Sequence, residues 1–162
     1  MYKRQVAVPV FPGDEIKIVK SRFITALIEY TKLDLNIEIA NWPDFTAKAG
    51  EIIEVPISNE NLKRIYLVGV GDSNNEDMRK AATSLGRRIK GSNVTILSAL
   101  SNDKEQIVNQ AISFILSNYQ YTLKSEQKDK KPEFVIYGDF EEEVERAPVS
   151  YTHLRAHETV LD

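Results

Sequence analysis

The sequence predicts an α/β layered domain built with right-handed crossovers, and three observations carry that expectation. The run Arg64-Ile65-Tyr66-Leu67-Val68-Gly69-Val70-Gly71 is apolar nearly throughout, as suits a strand buried on both faces. It ends in two glycines and passes into the amphipathic stretch Asn75 to Lys90. Strand-type and helix-type patterns then alternate to the end of the chain, the arrangement that layers helices on a parallel sheet.

Each element has its own justification. Gln5 to Phe11 is a short β-type run closed by the turn signal Pro12-Gly13-Asp14. Ser21 can cap a helix that places Ile24, Leu27, Ile28 and Thr31 on one face. Leu35 to Ile39 alternates apolar and polar, which predicts a half-buried strand. Trp42-Pro43 and Gly50 frame a loop, and Glu51 to Ile57 predicts a strand near an edge because of Pro56. Ser73 and Glu76 have capping-box spacing ahead of a helix whose buried stripe is Met78, Ala81, Ala82, Leu85 and Ile89. Arg87, Arg88 and Lys90 suit the negative end of that helix, and Gly91 stops it where a left-handed residue is preferred. The cycle repeats with a strand at Val94 to Leu100, a second capping-box pair in Asn102 and Glu105, and an apolar helix face of Ile107, Val108, Ala111, Ile112, Ile115 and Tyr119. Lys124 to Glu133 is a charged connector, Phe134 to Tyr137 a strand, and Asp139 to Arg146 an acid-rich helix start.

With 162 residues the chain suits one domain of ordinary size. Hydrophobic residues at 42% and charged residues at 28% are normal for a globular protein. A net charge of −3 provides no electrostatic footprint for nucleic acid and no polybasic membrane patch. The absence of cysteine excludes disulfides, thiolate metal sites and cysteine nucleophiles. No apolar run approaches the ~20 residues that span a bilayer, and no signal-peptide core stands at the N-terminus, so a cytoplasmic location is expected.

Candidates for chemistry are few. Gly69-Val70-Gly71 could open a phosphate-cradling loop, but Asn74 stands where the third glycine of G-x-G-x-x-G belongs, and no acid follows about twenty residues on. A structural turn is the expectation. Glu141, Glu142, Glu143 and Glu145 point in different directions on a helix and so complement its dipole instead of converging on an ion. His153 and His157 have zinc-pair spacing without the H-E-x-x-H order or a third ligand. Asp34, Asp44, Asp72 and Asp77 fall in loops or caps, no serine occupies a G-x-S-x-G elbow, and Arg87, Arg88 and Lys90 read as a solvated helix end. No catalytic, cofactor-binding or metal-binding residue is assigned on these grounds.

From residue 45 to 126 the order of features resembles the N-terminal domain of the leucyl aminopeptidase family of metallopeptidases. Ala47-Lys48-Ala49-Gly50-Glu51 is similar to the family's G-x-x-G lead-in to a strand, and Lys63 through Gly71 to its R-[IV]-x-L-[IV]-G-x-G strand. Met78-Arg79-Lys80-Ala81-Ala82 resembles the R-K-A-A helix that follows. Ala111 through Tyr119-Gln120-Tyr121 with Lys124-Ser125 resembles the helix ending in Y-x-[FY]-x-x-[YL]-K-[ST]. The resemblance implies a macro-like three-layer α/β/α domain with a mixed, largely parallel sheet. It also implies a larger catalytic domain as partner, with two divalent metals, zinc or manganese, and a homohexameric parent that releases N-terminal residues from peptides. The family's N-T-D-A-E-G-R-L segment is absent here, so no metal ligand or catalytic residue carries over, and the chain alone is expected to be inactive and without a cofactor. Residues 1–149 are expected to form the domain, its last helix truncated. Ser150-Tyr151-Thr152-His153-Leu154-Arg155-Ala156-His157 reads as an adapter- or vector-derived tail spanning 150–162, which would strip both histidines of meaning. A ligand-binding role for a macro-like crevice is the alternative, in the loops after Phe11 and Gly71. Some members of the family bind DNA, a role that the net charge and the lack of a basic stripe argue against.

Overall fold

The computed structural model describes residues 3–16, 18–19, 21–101, 103–119, 132–137 and 153–155. Six strands form one sheet in the order β2-β3-β1-β4-β5-β6, with β1 Lys3–Val10, β2 Ile52–Pro56, β3 Arg64–Gly69, β4 Val94–Ser98, β5 Glu133–Ile136 and β6 His153–Arg155. The pairs β1/β3, β1/β4 and β4/β5 are parallel; the outer pairs β2/β3 and β5/β6 are antiparallel. Helices α1 Arg22–Thr31 and α2 Leu35–Ala40 lie on one face, α3 Asn75–Ile89 and α4 Lys104–Asn118 on the other.

The two faces follow from the period of two along a strand. On β1, Val6, Val8 and Val10 join a core with Ile24, Leu27, Leu35 and Ile39, while Ala7 joins the opposite core with Met78, Ala81, Leu85 and Phe114. On β3, Ile65 and Leu67 face the first core, Tyr66 and Val68 the second. That double burial is why β3 is apolar without alternation. It is nonetheless second from the edge; the middle of the sheet belongs to β1 and β4.

Several predicted details hold. Ser21 Oγ accepts from Ile24 N at 3.2 Å and caps α1. β2 is an edge strand whose Pro56 sits at its end, opposite Arg64. The α3 stripe is buried in full, Gly86 included, and Gly91 takes φ +77° after the helix.

Others are corrected. Leu35–Ala40 is a short helix, not a strand: Asp34 accepts from Asn36 N at 2.9 Å, and Leu35 and Ile39, four apart, are buried while Ile37 is exposed. Alternation over five residues fits both periods, and the capping aspartate decides between them. The cap of α3 lies one residue later than predicted. Asn74 accepts from Asp77 N at 2.8 Å, and Ser73 instead takes φ +58°. Likewise Asp103 caps α4 by accepting from Gln106 N at 2.9 Å, whereas Asn102 lies outside the described residues.

α4 departs furthest from the prediction. Of the expected apolar face, Ile107 is buried, but Val108, Ile112 and Tyr119 are exposed, as is Leu116. The inward side carries Gln106, Gln110, Ser113, Phe114 and Asn118. Each of these polar residues makes a specific hydrogen bond, such as Gln106 Nε2 to Ser73 O at 2.6 Å and Asn118 Nδ2 to Gly86 O at 3.2 Å, although Asn118 Oδ1 is left without a partner among the described residues. Phe114 supplies the apolar anchor, stacked on Phe134 with ring centroids 4.2 Å apart. Hydrogen bonding has outcompeted periodicity along this helix. The predicted connector at 124–133, apart from its last residues, and the acid-rich helix at 139–146 lie outside the described residues. Of the predicted tail, the backbone of His153–Arg155 pairs with β5; His157 lies outside.

Candidate functional site

The Gly69–Gly71 turn is filled by the protein itself. Residues 45–50 run across the end of β3: Gly71 N donates to Ala47 O, Gly50 N to Gly69 O, and Gly69 N to Glu51 O at 2.7 Å. A Cβ on Gly69 would stand 2.2 Å from Lys48 O, so only glycine admits the crossing loop. Gly71 holds φ +57°, and a side chain there would meet Asp77 Oδ2. Three further amides of the turn are engaged: Asp72 N donates to Asp77 Oδ2 at 2.9 Å, Ser73 N to Val70 O, and Asp77 N to Asn74 Oδ1. Asp77 thus places a carboxylate where a phosphate would bind, and repels one. The signal was present in the sequence as an acid at the third helical position.

The remaining candidates disperse. Asp34 caps α2, Asp44 is exposed in a loop, and Asp72 and Asp77 belong to the turn just described. Among the described residues no three His, Asp or Glu side chains gather in a way that could hold a metal ion. Glu141 to Glu145 lie outside the described residues, and only the backbone of His153 is described. Arg88 pairs with Glu54 at 2.7 Å, and Lys90 Nζ donates to Tyr119 O. Arg87 joins Lys48, Arg79 and Lys80 along a shallow surface on α3 that also holds Glu51 and Glu76. There Lys80 pairs with Glu76 at 3.0 Å, which holds its ammonium pKa above the usual lysine value, and Arg79 donates to Asn109. Mixed signs and internal pairing leave no continuous basic stripe on this surface.

What the fold brings together lies at the carboxyl ends of the parallel strands. A cavity of about 370 Å³ is bounded by Pro9 near the end of β1 and Phe11 just past it, Ala99 and Ser101 past β4, and Tyr137 past β5. Val19, Ser21 and Ile24, at the start of α1, close it. It marks the place where the chain's connections diverge: β1 leads to helices on one face and β4 to α4 on the other. Ala7 O accepts from Ala99 N at 3.0 Å, the last rung between these strands. Two residues on, Pro9 would present its amide toward the same side but has none, so the ladder ends and the strands part. Sequence reasoning pointed at the loop after Phe11 but missed Ser101 and Tyr137, which only the sheet order brings there.

Taken together, these features define an α/β/α domain with a mixed sheet and an internally sealed β3–α3 turn. The model of the cytosol aminopeptidase family, N-terminal domain, matches residues 31–127, more than half of the chain. The chain therefore belongs to the cytosol aminopeptidase family as its N-terminal domain. In structure it is similar to cytosol aminopeptidase from Coxiella burnetii, with a TM-score of 0.50 and 15% identity over 85% of this chain, a likeness of fold alone. The chain covers 26% of that protein's chain. No curated protein matches it. Among the described residues no helix is long and apolar enough to cross a membrane.

Proposed function

We propose that this chain is a non-catalytic assembly domain of a cytoplasmic, two-metal aminopeptidase that releases N-terminal amino acids from peptides. The supporting observation is the inverted α4. Val108, Ile112, Leu116 and Tyr119 recur every three or four residues on its outer side and are 49–69% exposed, while glutamine, serine and asparagine face inward. An apolar stripe on the outside of a helix whose polar residues are held inside fits a face built to meet another protein surface. In this reading metal chemistry belongs to the catalytic domain, and this domain supplies a docking face; residues 150–162 contribute nothing to it.

The test is copurification of this chain with the catalytic domain encoded alongside it, expressed separately. The native chain is expected to retain its partner. A double substitution, Ile112→Asp with Leu116→Asp, puts two carboxylates on the stripe and is expected to weaken retention tenfold or more while leaving the melting temperature within a few degrees. Full retention by a folded double variant would defeat the proposal.

A further inference from the structure

We infer that the cavity between the ends of β1 and β4 is a binding site for a small, uncharged, planar ring compound with a hydrogen-bond acceptor on its edge. This goes beyond the assembly role and uses none of the α4 stripe.

Position is the first argument. In open α/β sheets ligands settle outside the carboxyl ends of the strands, where the connections of two neighbouring strands leave in opposite directions. Here that point falls between β1 and β4, and the cavity occupies it. A volume of about 370 Å³ lies at the small end of the range for ligand sites and suits one or two fused rings.

The lining gives the chemistry. Phe11 and Tyr137 offer aromatic surface from opposite strands, and Tyr137 is held in place by Phe23, whose ring centroid lies 5.1 Å away. Aromatic walls favour a flat partner. None of the described residues that border the cavity carries a charged side chain, so none of them compensates the desolvation of an ion. Among the described residues the polar side chains are the phenol of Tyr137 and two serines whose oxygens already serve as acceptors. Ser21 Oγ accepts from Ile24 N. Ser101 Oγ accepts from Gln110 Nε2, and Gln110 is oriented by Ser98, whose hydroxyl donates to Gln110 Oε1. That buried relay fixes which way the amide faces and leaves the Ser101 proton to be donated. A hydroxyl in this state matches a ring nitrogen or carbonyl oxygen better than a ring that can only donate, because its proton is unspent while one of its two acceptor positions is taken.

Quinoline and indole provide the test, because they have similar size and shape but opposite polarity: quinoline accepts a hydrogen bond and indole only donates one. In ¹H–¹⁵N NMR titrations of the 162-residue chain, quinoline is expected to move the amide signals of Phe11, Ala99 and Tyr137 and to bind about fivefold more tightly than indole. Ser101→Ala should erase that preference. Ala99→Leu, which fills the cavity, should abolish both interactions. The inference is overturned if quinoline shifts no signals around the cavity, if indole binds equally well to the native chain, or if a folded Ala99→Leu variant still binds. Should Ala99→Leu fail to fold, the native preference and its loss in Ser101→Ala still decide.

Discussion

Gly69 shows how much a missing Cβ can determine. The loop at 45–50 passes so close that Lys48 O and the carbonyl of Ala47 lie within 2.8 Å of where a Cβ would sit, and Ala47 itself adopts φ +58° to make the crossing. Backbone atoms cannot yield as a flexible side chain can, so Gly69→Ala is expected to cost about 3 kcal/mol, the upper part of the range for overpacking. For a chain of this size that is a fall of roughly 6–12 °C in melting temperature, measurable by calorimetry; a fall under about 2 °C would mean that the loop moves aside freely. Tyr66 allows a second test. It is 2% exposed, and burial raises its phenol pKa above the ordinary value of 10, against the opposing effect of Arg64, whose guanidinium donates to the phenol oxygen at 3.5 Å. The folded state therefore holds this proton more tightly than the unfolded chain does. The resulting stability is complete below about pH 10 and is lost as pH rises through the folded value. Native protein should thus lose stability above pH 10 more steeply than Tyr66→Phe, and parallel profiles would refute that attribution.

At the level of elements, three misreadings have separate causes. Leu35–Ala40 was open to two periods, and the decisive signal was Asp34 as a cap. The caps of α3 and α4 each fell one residue from the predicted position because Ser73-Asn74 and Asn102-Asp103 each offer two capping side chains in a row. In α3, Asn74 acts as cap and Asp77 ties back to Asp72 N, while Ser73 is drawn into a left-handed turn. α4 was misoriented for a deeper reason. Hydrophobic periodicity presumes that a helix has one apolar side and that this side faces inward, whereas α4 buries a network of polar side chains with partners at Ser73, Gly86, Ser98 and Ser101. Those partners are 9 to 33 residues away in sequence. β6 is a different case, because an open edge strand such as β5 offers backbone groups that any extended segment can pair with, whatever its side chains. Deleting residues 150–162 is therefore expected to change stability by no more than about 0.5 kcal/mol, roughly 2 °C in melting temperature. A loss above about 4 °C would make β6 an integral strand of the domain.

For the whole molecule, the sequence by itself determined the fold class, the double burial of β3, the α3 stripe and the family. These rest on local periodicity and on glycines at fixed spacings, which are written along the chain. The absent third glycine argued against a phosphate loop along the chain, and in the fold Asp77 and Ala47 accept from the amides of Asp72 and Gly71 in that turn. Tertiary structure alone decided the rest. Sheet order put β1 and β4, not β3, in the middle and so placed the cavity beside Phe11, Ser101 and Tyr137, whose separation along the chain conceals their proximity. It also turned α4 outward, because the free energy of satisfying buried glutamine, serine and asparagine depends on atoms that only the folded chain brings within hydrogen-bonding reach.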